Sequence, residues 1–187
     1  MSKTDAKQKL IQGTIDLLLE SGHSEEITSR QIAEKTKINL AMINYYFSSK
    51  DELISIAVNQ LIKSAADDWI SIENKNHSSY DRLLQMLLHL SQLTMQYYSL
   101  TKSTAIYELT KADIYLPYYI IPLLEEHFSG EKNEFEIKLM AFEIISFLQT
   151  LMIKAEDFFK YSGKDIRDDH QREFVIETYL KSILKNV

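Results

Sequence analysis

The sequence contains no cysteine, and only four of its 187 residues are glycine and two are proline. The absence of cysteine excludes disulfide frameworks, Cys-ligated zinc, iron–sulfur clusters and thiol nucleophiles. A phosphate-binding loop needs clustered glycines, because backbone N–H groups must approach the anion closely. The glycines here, Gly13, Gly22, Gly130 and Gly163, are far apart. Their spacing argues against P-loop and dinucleotide-binding folds.

The sequence also lacks a signal peptide and a hydrophobic run long enough to span a membrane. Met1–Leu10 is polar and charged, unlike a secretory leader. The most apolar run, Ile144–Ile153, is interrupted by Gln149 and is about half as long as a membrane-spanning helix. We therefore expect a soluble, cytoplasmic protein with no membrane partner.

Sequence patterns typical of enzymes are missing as well. The five histidines show neither i,i+4 spacing nor an adjacent second metal ligand. There is no Gly-x-Ser-x-Gly elbow for a hydrolase. Paired acids such as Asp67-Asp68 are more typical of solvated helix faces than of acid–base catalysts. We predict that the chain is not an enzyme and has no catalytic residue, metal site or cofactor.

Acidic residues outnumber basic ones, which gives a net charge of −6, but the imbalance is not uniform. Residues 1–50 carry seven Lys and Arg against six Asp and Glu, whereas the rest of the chain carries 14 against 21. The first part is therefore neutral to slightly basic, and an anionic partner is compatible with it.

Apolar residues recur at three- and four-residue steps along most of the chain, which predicts an all-α fold with about nine helices and no strand. A first helix through Leu10 and Leu18 is expected to end at Ser21-Gly22. Thr28 to Gln31 has the form of a capping box and predicts a short helix that ends near Thr36-Lys37. Asn39 is a suitable N-cap for a second short helix, Leu40–Tyr46.

A second capping box, Ser49 to Glu52, predicts a long helix that reaches about Glu73. Asn74–Ser79 is polar and predicts a loop. Beyond it the pattern predicts further helical segments, one of them broken by two prolines and ended by Gly130. These segments are Tyr80–Leu100, Ser103–Lys111, the Tyr-rich piece between Pro117 and Pro122, Glu131–Tyr161 and Asp168–Lys185.

The segment Thr28–Lys50 combines two short helices with a tight turn, the arrangement of a helix-turn-helix whose second helix enters the major groove of DNA. Hydroxyl and ammonium groups lie at the ends of these elements, where phosphate oxygens are usually contacted. Arg30 and Asn44 can pair with guanine and adenine edges, respectively. Leu40, at the start of the second helix, is unusually apolar for a solvated surface.

Two runs, Ile27–Ala33 and Ile43–Leu53, resemble the DNA-binding domain of the TetR family of one-component regulators. The preceding helix is similar too, with small residues at Gly13-Thr14 ahead of Leu17-Leu18 and with Gly22 at its end. The close resemblance covers roughly residues 8–55. It implies a homodimer that binds a palindromic operator, and a variable C-terminal bundle that binds a small molecule.

The resemblance, together with the residue chemistry, assigns the DNA-binding residues. Ser29, Tyr46 and Lys50 are implied phosphate contacts, and Arg30 is an implied base contact. The implied base-facing positions are those of Leu40, Ala41, Met42 and Asn44. The full predicted set is Thr28, Ser29, Arg30, Asn39, Leu40, Ala41, Met42, Asn44, Tyr45, Tyr46 and Lys50. The chain departs from the family at Lys37, where glycine is common, and at Asn44, where an aromatic residue is common.

Each of these residues also has a structural interpretation. Thr28 can serve as a helix cap alone, although capping and phosphate contact are compatible. Arg30 can pair with a surface acid, and Met42 can pack against the first helix. Phe47 and one of the two tyrosines before it are expected in the core.

A weaker pattern in the second part concerns tyrosines and methionines, which could line an apolar pocket with polar tips. The predicted lining is Met86, Leu90, Met95, Tyr98, Tyr107, Tyr115, Tyr119 and Phe147. The alternative is ordinary core with tyrosine hydroxyls at the surface. The expected effector is a small apolar or aromatic molecule.

Glu131–Tyr161 and Asp168–Lys185 have wide apolar faces, which suit a four-helix interface of a homodimer. The alternative is that these faces are buried within one subunit. The sequence thus predicts a DNA-binding domain, residues 1–48, and an effector-binding and dimerisation domain, residues 49–187. We expect a transcriptional regulator, most simply a repressor released by its ligand. The competing hypothesis is an all-α ligand-binding or scaffold dimer without DNA binding.

Overall fold

The structure, a computed structural model, describes residues 3–21, 27–71, 77–111 and 113–184. These residues form ten α-helices, a 3-10 helix at Leu116–Tyr119 and no strand, which confirms the predicted all-α fold. The helices are α1 Lys3–Ser21, α2 Ser29–Thr36, α3 Ala41–Tyr46, α4 Lys50–Ser71, α5 Ser79–Gln96, α6 Tyr98–Thr110, α7 Ile121–Phe128, α8 Glu134–Ile153, α9 Ala155–Ser162 and α10 Asp169–Ile183.

The chain divides into two compact units. The head unit comprises Met1–Ser64 and Gln96–Thr101, and the bundle unit comprises Ala65–Met95 and Lys102–Val187. The division therefore falls inside α4, whereas the sequence placed a functional boundary at residues 48 and 49. That functional boundary stays a prediction.

The head unit has an apolar core of its own, built from α1 to α4 and one residue of the α5–α6 junction. Its fully buried large side chains are Leu10, Leu18, Ile27, Ile32, Ile43, Phe47 and Leu53. Burying a side chain of this size stabilises the fold by roughly 1.5–3 kcal/mol. The predicted core position of Phe47 is confirmed, and Tyr46 is the tyrosine that packs beside it.

Gly13, in the middle of α1, allows α1 and α2 to approach closely. A Cβ atom at this position would lie 2.3 Å from the Cγ2 atom of Thr36. Thr36 is itself buried, and its hydroxyl donates to the carbonyl of Ile32 at 2.8 Å. The glycine is therefore a packing requirement at this crossing, since any side chain would push the helices apart.

The bundle unit is built around a second apolar cluster from α4, α5, the 3-10 helix, α7, α8 and α10. Its most buried members are Leu83, Met86, Leu87, Ile120, Leu124, Ile144, Ile176 and Leu180. The central position predicted for the α5 segment agrees with the four buried residues of that helix. Among the described residues, no helix combines the length and apolar character needed to cross a membrane.

Two helices predicted as continuous are broken. The predicted helix Tyr80–Leu100 ends at Gln96, and α6 begins at Tyr98. The predicted helix Glu131–Tyr161 is interrupted at Lys154, where φ is −102° and ψ is 21°. Neither break contains glycine or proline, and the apolar helical pattern of the sequence therefore gives no sign of an interruption. The expectation of single helices was wrong at these two sites.

Most predicted helix ends are confirmed by local geometry. The capping box from Thr28 to Gln31 is present, and Gly163 ends α9 with a left-handed φ of 72°. The 3-10 helix and α7 are separate elements, as the two prolines predicted. The predicted ends at Gly22, Glu73 and Lys185, and loop residues 74–76, lie outside the described residues.

Candidate DNA-binding site

The start of α2 is fixed by Thr28. The Thr28 side chain accepts a hydrogen bond from the Gln31 N–H, and the Gln31 side chain accepts one from the Thr28 N–H at 2.8 Å. Two N–H groups that the helix leaves unpaired are thereby satisfied. Thr28 and Arg30 are exposed and Ser29 is half-buried. The capping interpretation of Thr28 is correct, and it leaves the hydroxyl at the protein surface.

The turn between α2 and α3 depends on a left-handed residue that is not glycine. Lys37 follows α2 with φ 57° and ψ 31°. Ile38, the next residue, is buried in the head core and anchors the turn. The left-handed position is the one where the TetR resemblance expected glycine, and the chain adopts the same backbone with lysine.

Helix α3 begins one residue later than predicted, at Ala41. Asn39 acts as a cap nevertheless, because its Oδ1 atom accepts a hydrogen bond from the Ala41 N–H at 2.9 Å. Ile43 holds the helix to the head core, and Phe47 ends it in extended conformation with φ −137°. A short helix of six residues is thus secured at both ends.

One surface of α3 is exposed and carries the predicted base-facing residues. Leu40, 44% exposed, precedes the helix, and Ala41 and Asn44 are exposed within it. Met42 is half-buried and packs against the head core, so the packing interpretation holds for this residue. Of the four base-facing residues, three present their side chains to solvent.

The aromatic run after Asn44 divides between surface and core. Tyr45 is 61% exposed and meets Tyr46 edge-on, with ring centroids 5.0 Å apart. Tyr46 is half-buried against the head core, and Phe47 beyond it is fully buried. The two tyrosines therefore lie at the boundary of the predicted surface, where a phenol hydroxyl can reach a phosphate.

Lys50 connects the start of α4 to the entry of α2. Its Nζ atom donates to the carbonyl of Ile27 at 3.1 Å and lies 3.4 Å from the Asp51 carboxylate. This hydrogen bond gives Lys50 a structural role beside the phosphate contact that the resemblance implies. About a third of the Lys50 side chain, 32%, remains exposed.

The second predicted capping box differs from the pattern by one residue. The Ser49 hydroxyl accepts from the Glu52 N–H at 3.0 Å, as predicted. The Glu52 carboxylate, however, accepts from the N–H of Ser48 and not from that of Ser49. Helix α4 still starts at Lys50, with the N–H of Glu52 capped by the Ser49 side chain.

Helix α1 supports α2 by an ion pair as well as by packing. Lys35 donates to the Glu20 carboxylate at 2.5 Å. This hydrogen bond raises the pKa of Lys35 above its ordinary value, so the charge persists throughout the physiological range. For Arg30, by contrast, no ion pair with a carboxylate is found among the described residues.

The predicted effector-pocket residues are distributed over both units of the chain. Met86 lies in the core of the bundle unit, and Leu90 and Tyr119 pack against the same cluster. Phe147 stacks on Tyr179 with ring centroids 3.8 Å apart. Tyr98 belongs to the head unit instead.

The other predicted pocket residues lie nearer the surface. Tyr107 and Tyr115 are more than a third exposed, and Met95 is half-buried. The Tyr115 hydroxyl donates to Glu108 at 2.7 Å, and burial together with this carboxylate raises the Tyr115 pKa. Burial, assisted by Asp67, raises the pKa of Tyr119. Nothing in these positions fixes a ligand, and the pocket stays a prediction.

No group of three or more potential metal ligands occurs among residues 3–21, 27–71, 77–111 and 113–184. Hydrogen-bond donors and cations lie at helix ends of the head unit, and such groups can bind phosphate oxygens and base edges.

The structure resembles that of a repressor of known class. Thermus thermophilus FadR, a TetR-family transcriptional repressor crystallised with lauroyl-CoA, matches with a TM-score of 0.58 and 14% identity. The match covers 97% of this chain and 96% of FadR. The chain has the TetR-family fold.

A second solved structure, described as a transcriptional regulator from Pseudomonas aeruginosa PAO1, has the same fold. It matches with a TM-score of 0.51 and 13% identity, over 98% of this chain and 92% of the other. By sequence, the chain matches no family model and no curated protein. The likeness to these two solved structures is therefore one of fold, at 13–14% sequence identity.

Proposed function

We propose that this chain is a TetR-family transcriptional regulator that binds DNA through α2, the turn at Lys37 and α3. The observation that carries the proposal is the exposed surface formed by Arg30, Leu40, Ala41 and Asn44, next to the buried residues Ile32 of α2 and Ile43 of α3. Donors at the α2 and α4 starts flank this surface, where they suit phosphates on either side of the major groove.

The charge distribution is compatible with this role. Most of the excess acidity lies beyond residue 50, whereas the proposed surface carries Arg30, Lys37 and Lys50. Of these cations, Lys50 lies beside Asp51, whereas no ion pair of Arg30 or Lys37 is found among the described residues. Binding should therefore weaken steeply with salt, because phosphate contacts release counterions from the DNA.

A homodimer is supported by the palindromic operator that the resemblance implies and by an apolar stripe on α8. Phe135, Leu139 and Phe142 recur at four- and three-residue steps and are 73%, 54% and 43% exposed. On α10, Phe174 is 54% exposed. We propose that α8 and α10, the helices within the two long segments predicted for dimerisation, bury these faces against a second copy.

The effector is proposed to be a small molecule with a substantial apolar part. The FadR neighbour holds lauroyl-CoA, a ligand with a twelve-carbon acyl chain, and the predicted bundle residues are apolar or aromatic. Ligand binding would release the operator if it changed the separation of two recognition helices that must sit about 34–36 Å apart. The ligand must prefer the released state for this switch to operate.

Selection of the full-length protein on random duplex DNA, followed by a salt titration of the selected duplex, tests the proposal. A palindromic consensus whose binding weakens steeply with salt is expected. Adding lauroyl-CoA as the probe then tests effector release, with free coenzyme A as the matched control. A repressor acting on chromosomal DNA would work in the cytoplasm, the location predicted from the sequence.

A scaffold or ligand-binding dimer without DNA binding is the outcome that would overturn the proposal. It would show no enriched duplex, before or after refolding to remove a co-purified ligand. Association with DNA that does not respond to salt would point the same way, because it would lack phosphate contacts.

A further inference from the structure

Tyr97 lies between α5 and α6 but belongs to the head core. Its ring is 2% exposed and is part of the apolar cluster formed by α1 to α4. The next residues contribute too: Leu100 packs against the same cluster, and Thr101 is buried. The chain therefore enters the head unit a second time, over residues 96–101, before it continues as α6.

The Tyr97 hydroxyl caps the end of α1. It donates to the carbonyl of Leu18 at 3.3 Å, across 79 residues of sequence. Helix α1 ends at Ser21, so Leu18 is among the last four residues, whose carbonyls have no partner within the helix. The ring is held in the core while its hydroxyl satisfies a backbone acceptor of the helix that supports α2.

The backbone of Tyr97 is joined just as closely to α6. Its carbonyl accepts hydrogen bonds from the N–H groups of Leu100 and Thr101, both at 3.0 Å. The Thr101 hydroxyl donates to the same oxygen at 3.1 Å. The main chain of Tyr97 is thus hydrogen-bonded to the first turn of α6, and its side chain is hydrogen-bonded to the last turn of α1.

From α1, the connection continues to the candidate DNA-binding surface. Glu20, two residues beyond Leu18, pairs with Lys35 of α2, and Gly13 packs on Thr36 at the α2 end. Lys37, the next residue along, makes the turn into α3. A displacement of the α1 end therefore reaches the turn that orients the recognition helix.

We propose that Tyr97 is a positioning residue that couples the α5–α6 junction to the orientation of α2 and α3. The inference rests on the proposed function, because it concerns how DNA binding responds to a change in α5 or α6. Both helices lie in the bundle unit apart from residues 96–101. Movement of either helix displaces the Tyr97 main chain, and the buried ring carries that displacement to α1.

Hydrogen exchange of the full-length protein, with and without a selected operator duplex, tests the coupling. Tyr97→Phe keeps the ring and removes the hydroxyl, and Tyr161→Phe, at a ring 89% exposed, is the matched control. In Tyr97→Phe, amides of the last α1 turn are expected to exchange about fivefold faster, as befits one lost hydrogen bond. Tyr161→Phe should leave them unchanged.

The decisive readout is the response of α6 to DNA. Coupling is reciprocal, so operator binding to the wild type should alter exchange over residues 98–110, which are not among the proposed DNA contacts. That response should be lost in Tyr97→Phe and kept in Tyr161→Phe. A residue that served stability alone would lower protection generally and leave the response to DNA in place.

The two failures are distinguishable. If the wild type binds no duplex, the proposed function is overturned and the coupling with it. If the wild type binds an operator but α6 does not respond, or if Tyr97→Phe responds as the wild type does, the coupling alone is overturned.

Discussion

Gly13 lies in the middle of a long helix, where glycine is ordinarily destabilising by about 1 kcal/mol relative to alanine. Here the Cβ of alanine would lie 2.3 Å from the Thr36 Cγ2 atom. We expect Gly13→Ala to lower the free energy of unfolding by about 1–3 kcal/mol, the usual range for overpacking. Urea denaturation measures the effect.

Thr36→Ser provides the matched background, because it removes the Cγ2 atom while keeping the hydroxyl. In that background, Gly13→Ala should cost much less, since the space is then available. An alanine that stabilises the protein in both backgrounds would contradict the packing role of Gly13.

Lys37 offers a prediction of the opposite sign. Its left-handed backbone, with φ 57°, costs a residue with a Cβ atom roughly 1 kcal/mol. Lys37→Gly should therefore raise the thermal midpoint. Glu34→Gly, at an exposed position within α2, is the control and should lower it by removing helix propensity. Equal losses in both variants would show that the turn is not strained.

At the level of secondary structure, helix starts with a local capping signal were predicted correctly, whereas helix breaks that depend on long-range contacts were not. Thr28, Asn39 and Asp168 mark helix starts because their side chains bond to backbone within three residues. The breaks at Tyr97 and Lys154 have no such local signal. Tyr97 leaves the helical pattern for a core built mostly from residues far away in sequence, which a periodicity argument cannot reveal.

The candidate site shows the same division. Exposure of Arg30, Leu40 and Asn44 follows from the helix-turn-helix pattern, since Ile32 and Ile43 must face inward. The bond from Lys50 to the Ile27 carbonyl was not predictable, because the two residues approach only when α4 folds against α2. Whether the Met42 side chain packs inside the head or faces DNA was likewise left open by the sequence, because it depends on packing within the folded head.

The elements α2 and α4 yield a prediction about DNA. Arg30→Ala should weaken operator binding by about 1–3 kcal/mol and relax preference at one base pair, as expected for a base contact. Lys50→Ala should weaken binding to all sequences and reduce the slope of log affinity against log salt by about 1. Fluorescence titration over a range of salt concentrations measures both.

Lys160→Ala, which removes an exposed lysine paired with Glu156 on α9, is the control for lost charge. It should leave the salt slope unchanged. A Lys50→Ala variant with an unaltered slope would mean that Lys50 acts only through its bond to Ile27.

For the whole molecule, the stripe on α8 predicts the oligomeric state. Leu139→Glu would place a charge between Phe135 and Phe142. It should convert a dimer into a monomer, because burying an unpaired charge in the interface is strongly unfavourable. Leu109→Glu, at a 40% exposed position on α6, is the control and should remain dimeric. Sedimentation velocity distinguishes the two. A dimeric Leu139→Glu would exclude this stripe from the interface.

Alkaline pH provides a second test at this scale. Burial raises the pKa of Tyr80, Tyr97 and Tyr119 above the ordinary value. Above about pH 10 the unfolded chain has lost these protons while the folded chain still holds them. Rising pH therefore favours unfolding, and the free energy of unfolding should fall from about pH 10 upward.

Urea denaturation across that pH range measures the fall, and Tyr97→Phe should make it shallower by removing one of the titrating groups. An identical pH dependence in Tyr97→Phe and wild type would contradict the burial of this hydroxyl.

The return of the chain to the head at residues 96–101 limits how this protein can be dissected or recombined. A fragment cut anywhere within α4 would carry α1 to α3 but leave Tyr97 behind, with an opening in its core and the Leu18 carbonyl bare. The head unit is therefore not formed by one continuous segment of the sequence. A chimaera that joins the head unit to another bundle would also have to include these six residues from the middle of the donor sequence. Simple joining of two gene segments would leave them out and destabilise the head unit.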